Sequence, residues 1–364
     1  MTRVLLVYLL TLLALLSAAW LSLLAFSPHP LMLSGLWRGE DMSAMIVRDI
    51  RLPRSLVCAL VGVGLGMAGS LLQAVTRNAL ASPHVLGINQ GAGLFVALSL
   101  GVLQRWQLPT LAMACAGATL SGALVLLLSG LHRGRTSGVR LVLSGVALSS
   151  LLAAMTDGAV ILNDELGVSI VAFMAGSVDG MTWQDVAGLW PWVLCATLGA
   201  LVLAHPLNLL QLGNEAAHAL GMKTHTVRIM CALLVVVVAA AIVTYVGAIP
   251  FVCLIVPHTA RALLGRQDYR LVLPLAGLLG GVLMLLSDAV SRLISYPFEL
   301  PVGIVTALIG APFFLYLTWK QRRNRALHGL AAHSLVRDLV RVAVIGAVLA
   351  GFVTTLNSYD GIPV

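Results

Sequence analysis

The chain has 364 residues, of which 59% are hydrophobic and only 10% are charged, and its mean hydropathy is +0.99. Soluble domains contain roughly 45–50% apolar and about 25% charged residues, so this composition excludes a soluble enzyme, a disordered chain and a disulfide-rich secreted domain. We attribute the net charge of +8 to basic loops beside a membrane, and expect lipid rather than nucleic acid as its counterpart. The long apolar runs predict an all-α polytopic membrane protein.

Ten stretches are long and apolar enough to be spanning helices, which need about 20 mostly apolar residues. In chain order they are 4–26, 55–76, 84–103, 109–131, 141–162, 186–204, 230–248, 250–264, 272–293 and 302–319. We also expect a short, partly inserted helix within 164–185. Lys and Arg are more frequent in the loops on the side of the N-terminus, which places both ends of the ten-span core in the cytoplasm.

Residues 1–323 are predicted to form one transmembrane domain, and residues 324–364 a separate tail. Val342–Leu356 in the tail is apolar but short for a span. Two alternatives therefore stay open, an extra C-terminal membrane helix or a helix that lies on the membrane surface.

Two GxxxG pairs lie inside predicted spans, Gly62/Gly66 and Gly277/Gly281. Small residues at this spacing let helices approach closely, which matters because lipid supplies no hydrophobic force between helices. We therefore expect close helix packing at both pairs.

The sequence contains no motif for catalysis or for nucleotide binding, since GxxxxGK[ST], HExxH and GxSxG are all absent. The five cysteines lie in apolar stretches without CxxC spacing, so we expect neither disulfides nor a metal site. The chain is thus predicted not to be an enzyme and to hold no cofactor. If ATP drives transport here, another subunit must hydrolyse it.

Carboxylates inside spans are the usual sign of ion coupling, and few are present. Asp157 lies within the fifth span and Asp288 near the outer end of the ninth. Asp157 is either part of a proton relay, as in an ion-coupled transporter that acts alone, or a helix-end or cavity-lining carboxylate paired with a neighbour. A membrane scaffold without transport is a third alternative for the whole chain.

Three arginines are predicted at the outer ends of spans: Arg51 and Arg54 before the second, and Arg292 at the close of the ninth. Arg51 and Arg54 share a face if their turn is helical. Guanidinium groups bind carboxylates through paired hydrogen bonds, so the three are candidates to hold a docking protein. The alternative is that they anchor the helices at lipid phosphates.

A polar break from Arg77 to Asn89 separates two spans, and prolines interrupt the apolar run from Gly247 to Arg261. Non-helical backbone at membrane depth persists only where protein covers it or where it lines water. A translocation pathway and a plain turn both fit the first segment, and His258 has either a structural role or a substrate contact. The pathway candidates are Gln73, Asn78, Pro83, Gly87, Asn89, Pro257 and His258.

The cytoplasmic loop before the seventh span contains a short helical pattern. Asn214 is expected to cap a helix over Glu215–Leu220, and Gly221 to end it. Such a helix is either a coupling lever for a partner or a simple connector.

Four of these segments resemble, in order, the FecCD family, the permease subunits of bacterial ABC importers for iron–siderophores, haem and cobalamin. They are RLPRSLVCALVGVGLGMAGSLLQAVTRNALASPHVLGINQGAG, LGNEAAHALGMKTHTVR, VGAIPFVCLIVPHTARALLG and ELPVGIVTALIGAPFFLYL. The resemblance implies the type II ABC importer permease fold in the bacterial cytoplasmic (inner) membrane. It implies a second permease subunit, identical or different, two cytoplasmic ATPase subunits and a periplasmic substrate-binding protein.

The resemblance also assigns roles to residues. It implies that Arg51, Arg54 and Arg292 meet glutamates of the binding protein. It implies that the cytoplasmic loop meets the ATPase through Leu212, Gly213, Asn214, Glu215, Ala216, Ala217, Leu220 and Gly221. A ferric siderophore is the expected cargo, with cobalamin or haem as the alternative. The chain departs from the family at Ala79, where the family has proline, and in its tail.

Overall fold

The computed structural model describes residues 2–24, 45–101, 103, 106–130, 138–162, 165–294 and 300–326. Within these ranges the chain forms helices and no strands. The helices are α1 Thr2–Leu24, α2 Leu52–Thr76, α3 Ile88–Leu100, α4 Thr110–Leu128, α5 Gly138–Ile161, α6 Glu165–Ala175, α7 Trp183–Gln211, α8 Asn214–Ala219, α9 Thr224–Val246, α10 Val252–Leu264, α11 Tyr269–Ile294 and α12 Val302–Ala326. A π-helical turn, Val47–Arg51, leads into α2, and a 3₁₀ turn, Pro83–Leu86, precedes α3.

Each of the ten predicted spans coincides with one of these helices. Seven are long and apolar enough to cross a membrane, whereas α3, α10 and the apolar part of α12 are shorter. With 13 residues each, α3 and α10 extend about 20 Å, less than the ~30 Å hydrocarbon core. The expected short helix within 164–185 is α6. The apolar tail segment Val342–Leu356 lies outside the described residues.

Helix α2 lies at the centre of the bundle and packs against α7, α9, α10 and, most extensively, α11. Most of its residues are buried, including the polar side chains of Ser70 and Gln73. A lipid-facing helix would expose one full side, so this burial identifies α2 as the core helix around which the other spans are arranged.

Glycines set the distance between α2 and α11. A Cβ atom on Gly62 would overlap the carbonyl oxygen of Gly280, and one on Gly280 would overlap that of Gly62. One turn along, Gly66 faces the carbonyl of Ala276 in the same way. The pair Gly62/Gly66 thus makes the close contact expected of it. The backbone that faces this pair on α11 belongs to Ala276 and Gly280. Gly277, from the second predicted pair, instead meets the Met67 side chain.

The helix ends form two polar clusters at opposite ends of the bundle. The end expected to be periplasmic, called the outer end below, contains the start of α2 and of α7 and the last turns of α1 and α11. The opposite, inner end contains the end of α2, the short helix α8 and the α10–α11 turn. The three predicted docking arginines lie at the outer end, and the predicted coupling residues around α8 lie at the inner end.

We predict that Gly280→Ala destabilises the fold, since its new methyl group must push α11 away from the Gly62 backbone. Overpacking of this kind typically costs about 1–3 kcal/mol. Thermal unfolding of the detergent-solubilised protein measures the change. Gly167→Ala is the matched control, because its Cβ would meet Val160 at an ordinary 3.5 Å. Equal melting temperatures for the two variants would contradict the prediction.

Candidate functional site

A buried carboxylate organises the outer end. Asp288, in the last turns of α11, is completely buried. Its Oδ1 accepts a hydrogen bond from Arg54 Nε at 2.8 Å and lies 2.7 Å from Arg54 Nη2. Its Oδ2 lies 2.8 Å from Arg292 Nη2, one turn further along the same helix. A single carboxylate therefore pairs with two guanidinium groups from two helices, which partly offsets the cost of burying the charges.

The last turn of α1 completes this arrangement. Arg292 Nη2 donates to the carbonyl oxygen of Ser22 at 2.9 Å and contacts its hydroxyl at 3.0 Å. The Ser22 hydroxyl also lies 2.8 Å from that of Ser55 on α2. Arg51 Nη1 donates to the carbonyl oxygen of Leu23 at 2.7 Å, so it satisfies a carbonyl at the end of α1. Helices α1, α2 and α11 are joined here by polar contacts.

The structure thus brings the three predicted arginines together. It also shows that two of them are held inward, since the side chains of Arg54 and Arg292 are only 7% and 10% exposed. Sequence reasoning had noted Asp288 only as a candidate for ion coupling. Its spacing of four residues from Arg292 was the signal for a helical ion pair.

A second carboxylate reaches the cluster from outside. Asp179, in the turn between α6 and α7, lies 3.5 Å from Arg54 Nη1, and its side chain is 65% exposed. The start of α7 beyond this turn is stabilised by a capping box between Thr182 and Asp185. Nothing in the local sequence around Asp179 had marked it, because only the fold brings it to Arg54.

Two of the predicted pathway residues line one cleft. Pro83 and Asn89 border it together with His84 and Phe251, and its remaining walls are mainly apolar side chains of α9 and of the segment that joins α9 to α10. The amide nitrogen of Asn89 lies 3.0 Å from His84 Nδ1. Phe251 has a φ of +65°, an uncommon conformation for a bulky residue that stores local strain.

The other pathway candidates have local partners. Gln73 donates to the carbonyl oxygen of Cys253 at 3.2 Å and accepts from Arg261 at 2.5 Å, which joins α2 to α10. The side-chain oxygen of Asn78 accepts from the Leu80 N–H at 3.0 Å and so stabilises a turn. Gly87 adopts a φ of +69° before α3, Pro257 lies inside α10, and the His258 ring packs edge-on against Phe313.

At the inner end, the short helix α8 follows the end of α7 as expected, but its N-cap differs. The N-cap residue is Gly213, and α8 begins at Asn214. No side-chain hydrogen bond caps the helix. The expectation that Asn214 caps α8 was wrong, because its side-chain oxygen is used elsewhere. It accepts from Arg77 Nη2 and Arg228 Nη2, both at 2.9 Å.

Arg77 is the residue that ends α2. It has a left-handed backbone, with a φ of 50°, and its Nη2 also donates to the carbonyl oxygen of Leu210 near the end of α7 at 2.9 Å. Non-glycine residues seldom adopt this backbone conformation without compensation from their surroundings. Through Arg77, the end of α2 is bound to α7 and α8 together.

The predicted coupling residues form one surface patch around α8. Ala217 is buried and anchors the helix, whereas Leu212, Asn214, Glu215, Ala216, Leu220 and Gly221 are exposed and Gly213 is half-buried. Leu212 and Leu220 are exposed by 63% and 61%. Two exposed leucines beside a short helix at the inner end suit contact with a partner.

The neighbouring α10–α11 turn is fixed to α7 by Asp268. Burial on its own raises the pKa of this carboxyl. The Arg270 N–H and the Asn208 amide, with the charges of Arg270 and Arg266, outweigh that effect and hold the pKa of Asp268 below its ordinary value. The side chain is therefore ionised at neutral pH, and Asn208 in turn accepts from the Tyr269 N–H at 2.8 Å.

Comparison with known proteins identifies relatives over most of the chain. The model of the FecCD transport family matches residues 6–320. The Fe(3+)-citrate import system permease protein YfmD of Bacillus subtilis (strain 168) is 42% identical over 286 residues, 79% of this chain and 84% of the relative. The Fe(3+) dicitrate transport system permease protein FecC of Escherichia coli (strain K12) is 38% identical over 314 residues, 84% of this chain and 94% of the relative.

A solved structure classed as a metal-chelate type ABC transporter, in an inward-facing conformation, is also similar. It is 31% identical and superposes with a TM-score of 0.74, covering 85% of this chain and 97% of the other. The helical arrangement described above is thus that of an ABC transporter membrane subunit.

We predict that Asp288→Asn strongly destabilises the protein, because it removes the buried negative charge that both Arg54 and Arg292 contact. Removing one partner of a buried ion pair typically costs about 3–5 kcal/mol. Thermal unfolding in detergent measures the effect. Asp49→Asn is the control, since it removes the same charge from an exposed position at the same end. An Asp288→Asn protein as stable as this control would contradict the prediction.

Proposed function

Because this chain belongs to the FecCD transport family, we propose that it takes a ferric chelate from a periplasmic binding protein and passes it through the bacterial inner membrane. The chain is a multi-pass permease subunit and not an enzyme, and a separate ATPase subunit hydrolyses ATP. The observation that carries the proposal is the placement of α2. Its first turn contains Arg54 in the outer cluster, and its last residue is followed by Arg77, which is bound to α8.

This placement gives a direct mechanical connection between the two ends. Helix α2 has 25 residues and is about 37 Å long, enough to cross the membrane. A rigid helix fixed at both ends transmits a displacement from one cluster to the other. A movement of α8 driven by an ATPase would therefore reach the outer arginines without a chain of flexible contacts.

For docking, we propose that the outer cluster receives carboxylates of the binding protein. The cluster brings together three guanidinium groups, which bind carboxylates through paired hydrogen bonds. Arg51 is half-buried and is the last residue of the π-helical turn, which makes it the most accessible of the three. An acidic patch on a partner would complement these arginines electrostatically.

For coupling, we propose that two cytoplasmic ATPase subunits press on α8 of two permease subunits. Leu212 lies just before α8 and Leu220 just after it, and both are exposed, as is Glu215 within the helix. The bonds from Arg77 and Arg228 to Asn214 would pass the movement to α2 and α9.

We propose that α5 faces the second permease subunit. Only 22% of its apolar window is buried, and one exposed stripe contains small and polar residues at helical spacing, namely Ala147, Ser150, Ala154 and Asp157. A carboxylate and small residues suit a protein or water-lined surface better than lipid. If α5 faces the second subunit, Asp157 has no relay partner among the described residues. Family membership also does not support the alternatives of an ion-coupled transporter or a scaffold.

The proposed substrate class is a ferric chelate, for which ferric dicitrate is the first compound to test. Both relatives named above import Fe(3+)-citrate complexes according to their names. The cleft beside Pro83 and Asn89 offers one amide, one imidazole and otherwise mainly apolar walls, with no acidic side chain to strip the metal from its chelator. Cobalamin and haem are the alternative cargoes.

We predict that proteoliposomes with this permease, its ATPase and its binding protein import radiolabelled ferric dicitrate only when ATP is present. A proton gradient without ATP should drive no uptake. Uptake driven by the gradient alone, or unaffected by omission of the ATPase, would contradict the proposed function. Cobalamin and haem, offered in parallel, decide between the alternative cargoes.

The docking part of this proposal is tested in the same vesicles. Arg51→Ala should reduce uptake by weakening binding-protein docking, whereas Arg48→Ala, at an exposed arginine one turn earlier, should leave uptake nearly unchanged. Arg51 is the position to test, because a charge reversal at Arg54 would place a glutamate against the buried Asp288. Equal uptake by both variants would contradict a docking role for Arg51.

We also predict that Asn214→Leu lowers ATP-driven uptake several-fold, because Arg77 and Arg228 lose their shared acceptor and α8 is released from α2. Asn214→Asp keeps the acceptor and should retain uptake. The measurement is uptake per ATP hydrolysed, which separates coupling from ATPase assembly. A normal ratio in Asn214→Leu would contradict the coupling role.

A further inference from the structure

The two carboxylates of the outer cluster differ sharply in their surroundings. Asp288 is fully buried and bound by both Arg54 and Arg292 at 2.7–2.8 Å. Among the described residues, Asp179 forms an ion pair with Arg54, at 3.5 Å, and its side chain is 65% exposed. Because the Arg54 side chain is itself only 7% exposed, the Asp179 carboxylate is the accessible member of this pair.

Asp179 is held in this position by the fold. The turn that carries it is bound to neighbouring elements by backbone hydrogen bonds of 2.9 Å, from Ser177 N–H to the Val246 carbonyl and from Gly303 N–H to the Gly176 carbonyl. Within the turn, Asp179 Oδ1 accepts from the Gly180 N–H at 2.9 Å. The carboxylate is therefore presented to Arg54 by a well-anchored turn.

We propose that Asp179 is an internal competitor for the docking site, which occupies Arg54 until a carboxylate of the binding protein displaces it. The inference rests on the docking role proposed above. Asp288 is a permanent counter-ion, since it is fully buried and contacts both Arg54 and Arg292. Asp179 is exchangeable, because its contact with Arg54 is longer, at 3.5 Å, and its largely exposed carboxylate is solvated as soon as it leaves.

This arrangement weakens docking by a modest and defined amount. The partner's carboxylate gains Arg54 but must first break the pair with Asp179. Because the pair is long and one partner is solvated, we expect the competition to cause about a two- to five-fold loss of affinity, equivalent to about 0.4–1 kcal/mol. Such a competitor also favours release of the binding protein after delivery, because Asp179 stands ready to take Arg54 again.

The test uses the complete permease–ATPase complex in lipid nanodiscs and the periplasmic binding protein encoded in the same transport locus, loaded with ferric dicitrate. The dissociation constant is measured for the original complex, for Asp179→Asn and for Asp179→Glu. Asparagine keeps the oxygen that accepts from Gly180 while it removes the charge. We expect about two- to five-fold tighter docking for Asp179→Asn and near-original affinity for Asp179→Glu.

Two controls show whether the effect passes through Arg54. Asp49→Asn removes the same charge from the same end and should change the affinity less than Asp179→Asn. In an Arg54→Gln background, Asp179→Asn should have no further effect, since the pair that it breaks is already gone. Tighter docking by Asp179→Asn that persists in this background, or an equal effect of Asp49→Asn, would overturn the proposal.

The remaining outcomes separate this inference from the docking role. If Arg51→Ala and Arg54→Gln weaken docking while Asp179→Asn leaves it unchanged or weaker, the competitor role is overturned and the docking role stands. If neither arginine variant alters docking, the docking role itself is overturned, and the competitor role with it.

Discussion

The close contact between α2 and α11 at Gly62 and Gly280 is the constraint on which the rest of the structure depends. Side chains at either position would separate the helices by the width of a methyl group or more. At this separation, Asp288 on α11 comes within hydrogen-bond distance of Arg54 on α2. Since lipid does not drive helices together, small residues and a buried ion pair supply the association that an apolar core supplies in water.

The buried pair also determines what the outer end is able to bind. Arginines on a flexible surface would pay conformational entropy to meet a partner, whereas Arg54 and Arg292 are already oriented by one carboxylate. Pre-organisation comes at the expense of accessibility, because both side chains are nearly buried. The half-buried Arg51 and the exposed Asp179 are therefore the accessible parts of the cluster, which the proposed binding protein would meet.

The inner end uses a neutral acceptor where the outer end uses a charged one. Arg77 and Arg228 share the amide oxygen of Asn214, so α8 is bound to α2 and α9 without full charge compensation. Hydrogen bonds from an arginine to a neutral oxygen lack the opposite charge of an ion pair and break more readily. This difference is consistent with the proposed mechanism, in which contacts at the inner end rearrange and the outer cluster moves as one unit.

The amino-acid sequence by itself determined the ten helices, the short helices α6 and α8, and the separation of the basic residues of interest into two ends. These properties depend on apolar length and local charge, which act along the chain. Only the tertiary structure decided that Asp288 joins Arg54 to Arg292, that Asn214 serves two arginines instead of capping α8, and that Asp179 lies beside Arg54. Apart from the Asp288–Arg292 pair within α11, these contacts join residues brought together by helix packing, and local sequence carries no record of which helices will meet.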